Sequence, residues 1–221
     1  MHRITSLPGE ESTPNDLEII EQPKAPILFL TTANTDITTI SGFLKTSKGR
    51  KWKGLLKALQ ISKLSHPAQI DHYLSTTASE SKIIIVRILG GKAHWSYGLE
   101  QLRKWKGIDE KRILIILSGI KDNEEELNYL SDLSEKTNSK LSHLIRIGGM
   151  KNISIFLDYI FDLYIGKKNT LFDTKTIQKL KDPFKWDWIQ ENQPKIGIIL
   201  YSSSYQSNDI DYLETAIKCV E

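Results

Sequence analysis

Lys82-Ile83-Ile84-Ile85-Val86-Arg87-Ile88-Leu89-Gly90-Gly91 is the most informative segment of this 221-residue chain for its architecture. Its β-branched residues follow one another almost without interruption. A strand with one wet face alternates apolar and polar side chains, whereas an unbroken apolar run is typical of a strand that is covered on both faces. The Gly90-Gly91 pair then indicates a tight turn out of the strand. The segment therefore predicts a central strand of a parallel sheet with helices on both sides.

Further short apolar runs flank this segment and alternate with stretches of helical spacing. Residues 27–30 and 112–117 predict strands, and residues 55–61 fit either a strand or a short helix. Helices are predicted at 36–45, after Pro67, and around Trp95, Leu99 and Leu102. Strands that alternate with helices indicate βαβ units. We therefore expect an α/β domain from about residue 24 to 165, with a mostly parallel, flavodoxin-like sheet.

The end of this domain is predicted to be helical. Asp122 and Glu125 have capping-box spacing ahead of Leu127 and Leu130. The next helix carries Leu141, Leu144 and Ile145, and Gly148-Gly149 is expected to end it. The clearest periodicity covers residues 152–165, with Gly166 placed to terminate that helix.

The pattern changes on both sides of the α/β domain. Residues 1–23 are polar with scattered prolines, which predicts a flexible N-terminal segment, and residues 166–194 predict a Trp-rich connector. Residues 195–221 read as one strand followed by one helix. One strand and one helix cannot bury their apolar faces alone. We therefore expect the truncated start of a second α/β domain there, and expect the chain to be a fragment.

Composition excludes several classes of protein. Lys and Arg total 30 against 27 Asp and Glu, a net charge of +3, and the basic run at 45–57 reads as a solvated loop, so no nucleic-acid partner is expected. The single Cys219 rules out an intramolecular disulfide. No apolar run is long enough for a membrane span, and no signal peptide is recognisable. These features predict a cytoplasmic protein.

The chain carries no recognisable catalytic signature. Gly90-Gly91-Lys92 has neither of the phosphate-loop spacings, and no nucleophile elbow is present. His66 and His72 are six residues apart, which does not put them on one helix face, and His66 before Pro67 predicts a helix start instead. We therefore predict no metal site and no cofactor bound by this segment, and the catalytic residues are unknown.

The candidate ligand-binding residues lie around the end of the strand that contains Arg87. In open α/β sheets, ligands bind in the crevice beyond the carboxyl ends of the strands. A flat macrocycle with acidic arms would use aromatic rings for stacking and cations for its carboxylates. The alternative is that the aromatic residues pack the following helix onto the sheet. The candidates are Arg87, Lys92, His94, Trp95 and Tyr97.

Several segments, in order along the chain, resemble the CobN-type large subunits of ATP-dependent cobaltochelatases. They are Met1-His2-Arg3-Ile4, Ala25-Pro26-Ile27-Leu28-Phe29-Leu30-Thr31-Thr32-Ala33-Asn34-Thr35-Asp36, Leu64-Ser65-His66-Pro67-Ala68-Gln69-Ile70-Asp71-His72-Tyr73-Leu74, Arg87-Ile88-Leu89-Gly90-Gly91, Trp95-Ser96-Tyr97-Gly98-Leu99-Glu100-Gln101-Leu102, Asp182-Pro183 with Trp186, and Gly197-Ile198-Ile199-Leu200-Tyr201.

This resemblance implies an enzyme that inserts Co²⁺ into a corrin-ring precursor during cobalamin synthesis, with ATP hydrolysed by separate AAA+ type partner subunits. It implies an N-terminal part that helps to bind the tetrapyrrole, and we expect this part alone to be inactive. Two alternatives stay open: a fragment of the related magnesium chelatase H subunit, which acts on protoporphyrin, and a free-standing, non-catalytic α/β binding module.

Overall fold

The computed structural model describes residues 19–167, together with the isolated positions 212, 215, 216 and 219, which are helical. Most of the expected N-terminal segment, nearly all of the connector, and the strand and most of the helix expected in 195–221 lie outside the described residues.

The domain is built on a four-stranded parallel sheet. Its strands are β1 (Ile27–Thr31), β2 (Leu56–Gln60), β3 (Ile83–Ile88) and β4 (Ile113–Ser118), in the spatial order β2-β1-β3-β4. All three neighbouring pairs are parallel. This confirms the predicted α/β class. The order 2-1-3-4 also matches the first four positions of the flavodoxin-like order.

Six α-helices accompany the sheet in the described domain: α1 (Asn34–Leu44), α2 (Pro67–Ser75), α3 (Ser96–Gly107), α4 (Glu124–Asn128), α5 (Glu135–Ile147) and α6 (Met150–Tyr164). Single 3₁₀ turns lie at Lys48–Trp52, Ile61–Leu64 and Lys92–Trp95.

Two apolar cores lie on opposite faces of the sheet because successive strand side chains point to opposite sides. Ile84, Val86 and Ile88 face the core that α2 and α3 cover. Ile83 and Ile85 face the other core, which α1, α5 and α6 cover. Every residue of β3 is buried, as expected for a central parallel strand.

Local sequence explains most helix boundaries. His66 caps α2: its Nδ1 accepts from the N–H of Ala68, the side chain of Gln69 accepts from the N–H of His66, and Pro67 occupies the first turn. The predicted helix-start role of His66 is thus confirmed. Gly148 ends α5 and Gly149 begins α6, both with positive φ.

The capping box predicted at Asp122 and Glu125 is wrong. The residue before α4 is Asn123, and its side chain makes no capping hydrogen bond. The neighbouring acids have other partners: Glu124 pairs with Arg146 at 2.7 Å, and Glu126 accepts from the N–H of Lys92 at 3.3 Å. Tertiary contacts therefore shape this short helix. Leu127 is nevertheless buried, as the apolar pattern predicted.

Groups from the segment that runs from just after α4 to the end of α5 close the outer edge of β4. The outward N–H groups of Leu114, Ile116 and Ser118 donate to side-chain oxygens of Asp132, Ser131 and Ser142. The outward carbonyls of the same three residues accept from the N–H of Asp132 and the side chains of Asn138 and Arg146. We call this set the β4 edge ladder. It satisfies the backbone where a fifth strand would otherwise pair.

Candidate functional site

The carboxyl ends of β1 and β3 form the topological switch point of the sheet. The chain leaves β1 toward β2 on one side, and β3 lies on the other side of β1. Ligands bind at such a point in open α/β sheets because the outgoing loops diverge there and leave a crevice. Thr31 and Arg87 lie side by side at this end of the two strands.

A buried ion pair lines this crevice. Nη1 of Arg87 lies 2.6 Å from Oδ1 and 2.8 Å from Oδ2 of Asp36, in the first turn of α1. Both side chains are only 8% exposed. Thr31 extends the network, because its Oγ1 donates to Oδ2 of Asp36 at 2.5 Å and accepts from the N–H of Ala33 at 3.0 Å.

The position of Arg87 follows from strand alternation. Arg87 shares the α1 side of β3 with Ile83 and Ile85, and this places its guanidinium against the start of α1. A buried arginine requires a counter-ion, since an uncompensated charge in the interior costs several kcal/mol, on the order of 3–5. Asp36 supplies that charge. Nε of Arg87 is buried and has no hydrogen-bond partner within the described part of the chain.

A pocket of about 180 Å³ opens beside the ion pair. Asp36 and Arg87 line it together with apolar side chains that include Leu89, Ile145 and Ile153. Pockets that enclose drug-sized ligands have about 300–1,000 Å³. The switch-point pocket, as we name this cavity, is therefore too small to enclose a tetrapyrrole ring, and it fits only a small group.

The beginnings of two helices border the switch-point pocket. Ala33 and Thr35, at the start of α1, line it, as does Gly148, just before α6. Neither α1 nor α6 has a side-chain cap. First-turn N–H groups without a capping partner attract acceptors, particularly anions. The carboxyl end of α5 also lies here, and the N–H of Gly148 bonds to the carbonyl of Leu144.

Trp95, a predicted ligand contact, lies in the core on the opposite face of the sheet. Its exposed fraction is 8%, and its Nε1 donates to the carbonyl of Leu64 at 3.0 Å. The ring lies against Gly98, where a Cβ would come within 2.2 Å of it. Trp95 and Gly98 therefore pack the start of α3 onto the sheet, which is the alternative that the sequence left open for the aromatic residues.

Tyr97 lies on the α2 and α3 side and its hydroxyl donates to both carboxylate oxygens of Asp71, at 3.0 Å and 2.9 Å. This hydrogen bond is the main reason that the pKa of Tyr97 lies above its ordinary value. Tyr97 thus joins α3 to α2 at the surface.

Lys92 and His94 are exposed in the 3₁₀ turn after β3. The backbone of Lys92 donates to Glu126, and His94 lies over Gly90. Of the five predicted ligand-binding residues, the structure therefore places Arg87 alone in the lining of the switch-point pocket. It does not bring the five together into one site.

Asp36 and Thr31 are the residues of the site that sequence reasoning did not select. A usable signal was present, because Arg87 interrupts an otherwise apolar buried strand and so requires a buried acid nearby. Within residues 19–167, no three His, Cys, Asp or Glu side chains are grouped so as to hold a metal ion. Nor does any helix in this range have the length and apolar character of a membrane span.

Comparison with known proteins gives a consistent family relationship. No protein-family model matches the chain. The chain is 30% identical over 167 residues, 75% of its length, to the aerobic cobaltochelatase subunit CobN of Sinorhizobium sp. It is 19% identical over 228 aligned positions, 96% of its length, to the CobN subunit of Pseudomonas aeruginosa.

A solved structure has the same fold. The catalytic subunit of cobaltochelatase from Mycobacterium tuberculosis matches 87% of the chain with a TM-score of 0.56 and 18% identity. The chain spans 13% and 18% of the length of the two curated relatives and 15% of the solved one. The resemblance predicted from the sequence is thereby confirmed: the chain is a relative of the CobN-type cobaltochelatase subunits, corresponding to a small part of their length.

Proposed function

We propose that this domain serves a cobaltochelatase large subunit as part of the surface that binds a corrin-ring precursor. The observation that carries the proposal is the 30% identity to a CobN subunit across three quarters of the chain. In the complete enzyme, Co²⁺ is the substrate metal, inserted with ATP hydrolysed on AAA+ type partner subunits. A cytoplasmic location is part of the same proposal.

The chemistry of insertion is assigned to parts of the enzyme other than the described domain. Metal insertion requires groups that remove protons from the pyrrole nitrogens and ligands that receive cobalt as it loses water. Residues 19–167 contain no grouped metal ligands. The switch-point pocket, at about 180 Å³, also cannot enclose the ring. We therefore assign this domain a role in binding and positioning, and we propose that the chain alone does not catalyse insertion.

Cobalt is favoured over magnesium as the substrate metal. Both curated relatives and the solved relative are cobaltochelatase subunits, which supports a corrin precursor rather than protoporphyrin as the macrocycle. A free-standing binding module is the other candidate. It would share the domain and its pocket but would act without chelatase partners.

The proposal is tested by titrating the purified 221-residue chain with hydrogenobyrinic acid, a corrin that carries no cobalt, and with protoporphyrin, following the absorbance and fluorescence of each macrocycle. We expect the corrin to bind and protoporphyrin to bind more weakly. A cobalt-insertion assay of the chain alone is expected to give no product. Binding of neither macrocycle would contradict the role in substrate binding, and insertion by the isolated chain would contradict its assignment as non-catalytic.

A further inference from the structure

The guanidinium of Arg87 is only partly used by the protein itself. One nitrogen, Nη1, makes both hydrogen bonds to Asp36. Nε is buried without a partner among the described residues. An arginine has five N–H donors arranged as a fork, and two of them on one edge match the two oxygens of a carboxylate. A buried donor without an acceptor is destabilising, so a group that supplies an acceptor would be bound favourably.

The surroundings of Arg87 are suited to a single negative charge. Asp36 neutralises the guanidinium within the ion pair. The amino ends of α1 and α6 each contribute roughly half a positive charge, and the carboxyl end of α5 roughly half a negative one. The balance is about half a positive charge. A carboxylate is compatible with that balance, whereas a phosphate group, with a charge of about −1.5 to −2, would remain uncompensated beside Asp36.

The apolar part of the lining matches the stem of such a group. Leu89, which is 42% exposed, lines the pocket together with the buried Ile145 and Ile153. A short hydrocarbon stem that ends in a carboxylate would contact these side chains and place its charged end toward Arg87. Acetate and propionate arms of a tetrapyrrole have this form.

We propose that the switch-point pocket binds one carboxylate side arm of the macrocycle, with Arg87 as the residue that recognises it, while the ring stays outside. This inference rests on the proposed function, because it takes a tetrapyrrole as the source of the carboxylate. Arg87 then has two roles, since Nη1 holds the start of α1 through Asp36 and the remaining edge of the guanidinium binds the arm.

The first test uses small probes and needs no variant. The ¹⁵N-labelled chain is titrated with propionate, propionamide and inorganic phosphate while the Nε–H signal of Arg87 is followed by NMR. Propionate is expected to shift that signal saturably, together with the amides of Thr35 and Gly148. Saturation by phosphate at lower concentration than propionate would contradict the choice of a carboxylate, and an unmoved Arg87 signal would overturn the pocket as a binding site.

The second test uses the macrocycle. Hydrogenobyrinic acid, a cobalt-free corrin with free carboxylate arms, is compared with its heptamethyl ester on the wild-type chain, on Arg87→Lys and on Arg103→Lys. Lysine keeps the charge opposite Asp36 but lacks the fork, and Arg103 is an exposed arginine on α3 that serves as the matched control. Thermal melting and the chemical-shift dispersion of the NMR spectrum establish that each variant is folded.

The expected result is binding of the acid about tenfold tighter than the ester by the wild type and by Arg103→Lys, the size of one charge-assisted hydrogen bond. Arg87→Lys is expected to lose this preference. Equal binding of acid and ester by all three chains would overturn the inference and leave the proposed function standing. A response of Arg87 to propionate without binding of hydrogenobyrinic acid would contradict the tetrapyrrole as the source of the carboxylate.

Discussion

Arg87 and Asp36 are joined through one guanidinium nitrogen, with Nη1 lying 2.6 Å and 2.8 Å from the two carboxylate oxygens. The contact links the end of β3 to the first turn of α1, across 51 residues of sequence. It therefore fixes the geometry of the switch-point pocket as well as the packing of α1.

Removing one member of this pair is expected to destabilise the domain strongly. Arg87→Met leaves Asp36 buried without a counter-charge, and we expect unfolding free energy to fall by about 3–5 kcal/mol, measured by urea denaturation. The double variant Arg87→Met with Asp36→Leu is expected to recover much of the loss, because no buried charge remains. Lys104→Met, at an exposed ion pair with Glu100, serves as the control and is expected to change little. A double variant no more stable than the single one would contradict this explanation.

The β4 edge ladder depends on Asn138, which is fully buried. Its Nδ2 donates to the carbonyl of Ile116 and to Oδ1 of Asn128, both at 2.6 Å. Asn138→Ala is expected to lower the unfolding free energy by about 1–3 kcal/mol, because a buried carbonyl loses its donor. His143→Ala, at an exposed position of the same helix, is expected to stay within about 0.5 kcal/mol of wild type. Equal midpoints in urea for the two variants would show that the ladder contributes nothing to stability.

The turn between α5 and α6 requires glycine. Gly148 has φ 69° and ψ −163°, and Gly149 has φ 84° and ψ 152°, a region that is almost restricted to glycine. Gly148→Ala is expected to cost about 1–3 kcal/mol by thermal or urea unfolding. Gly107→Ala, at a helical position where a Cβ meets open space, is the matched control and is expected to be neutral or stabilising by up to about 1 kcal/mol. A neutral Gly148→Ala would mean that the turn adopts another conformation in solution.

Two tyrosines make the stability of the domain sensitive to alkali. Burial raises the pKa of the Tyr73 hydroxyl, and the hydrogen bond to Asp71 raises that of Tyr97. A pKa that is higher in the folded chain than in the unfolded chain gives stability that is present below about pH 10 and is lost as the pH rises further. We expect the unfolding free energy to fall above that pH, and to fall less steeply in Tyr73→Phe.

The measurement is urea unfolding at successive pH values, with tyrosinate absorbance at 295 nm recorded in parallel. Asp71→Asn is expected to bring the pKa of Tyr97 back toward its ordinary value. A Tyr73→Phe chain with the same alkaline slope as wild type would contradict the assignment to Tyr73.

The sheet could be predicted from sequence where burial alone determines the pattern. The apolar run of β3 predicted a strand covered on both faces, and a core lies on each of its faces. β2 stayed ambiguous because Leu56 and Leu59 are its buried residues, a spacing that also fits a helix, with Lys57 and Ala58 half-exposed between them. Pairing with β1 decides that segment, and such a long-range contact is not visible in a short window of sequence.

The candidate site was predicted only in part. Arg87 and the crevice beyond β3 could be inferred, but the acid that faces Arg87 lies on another element, and several acids in the chain could have been its partner. Trp95 was ambiguous because an aromatic residue after a strand can either contact a ligand or pack in the core. Gly98 decides in favour of the core, since its missing side chain leaves the space that the indole occupies.

The β4 edge ladder has a consequence for how this domain meets its neighbours. A strand from another unit could join the sheet at β4 only after six hydrogen bonds to the outward backbone had been given up. A neighbour at that edge would therefore contact side chains rather than extend the sheet. Contacts of that kind can slide or part without melting either unit.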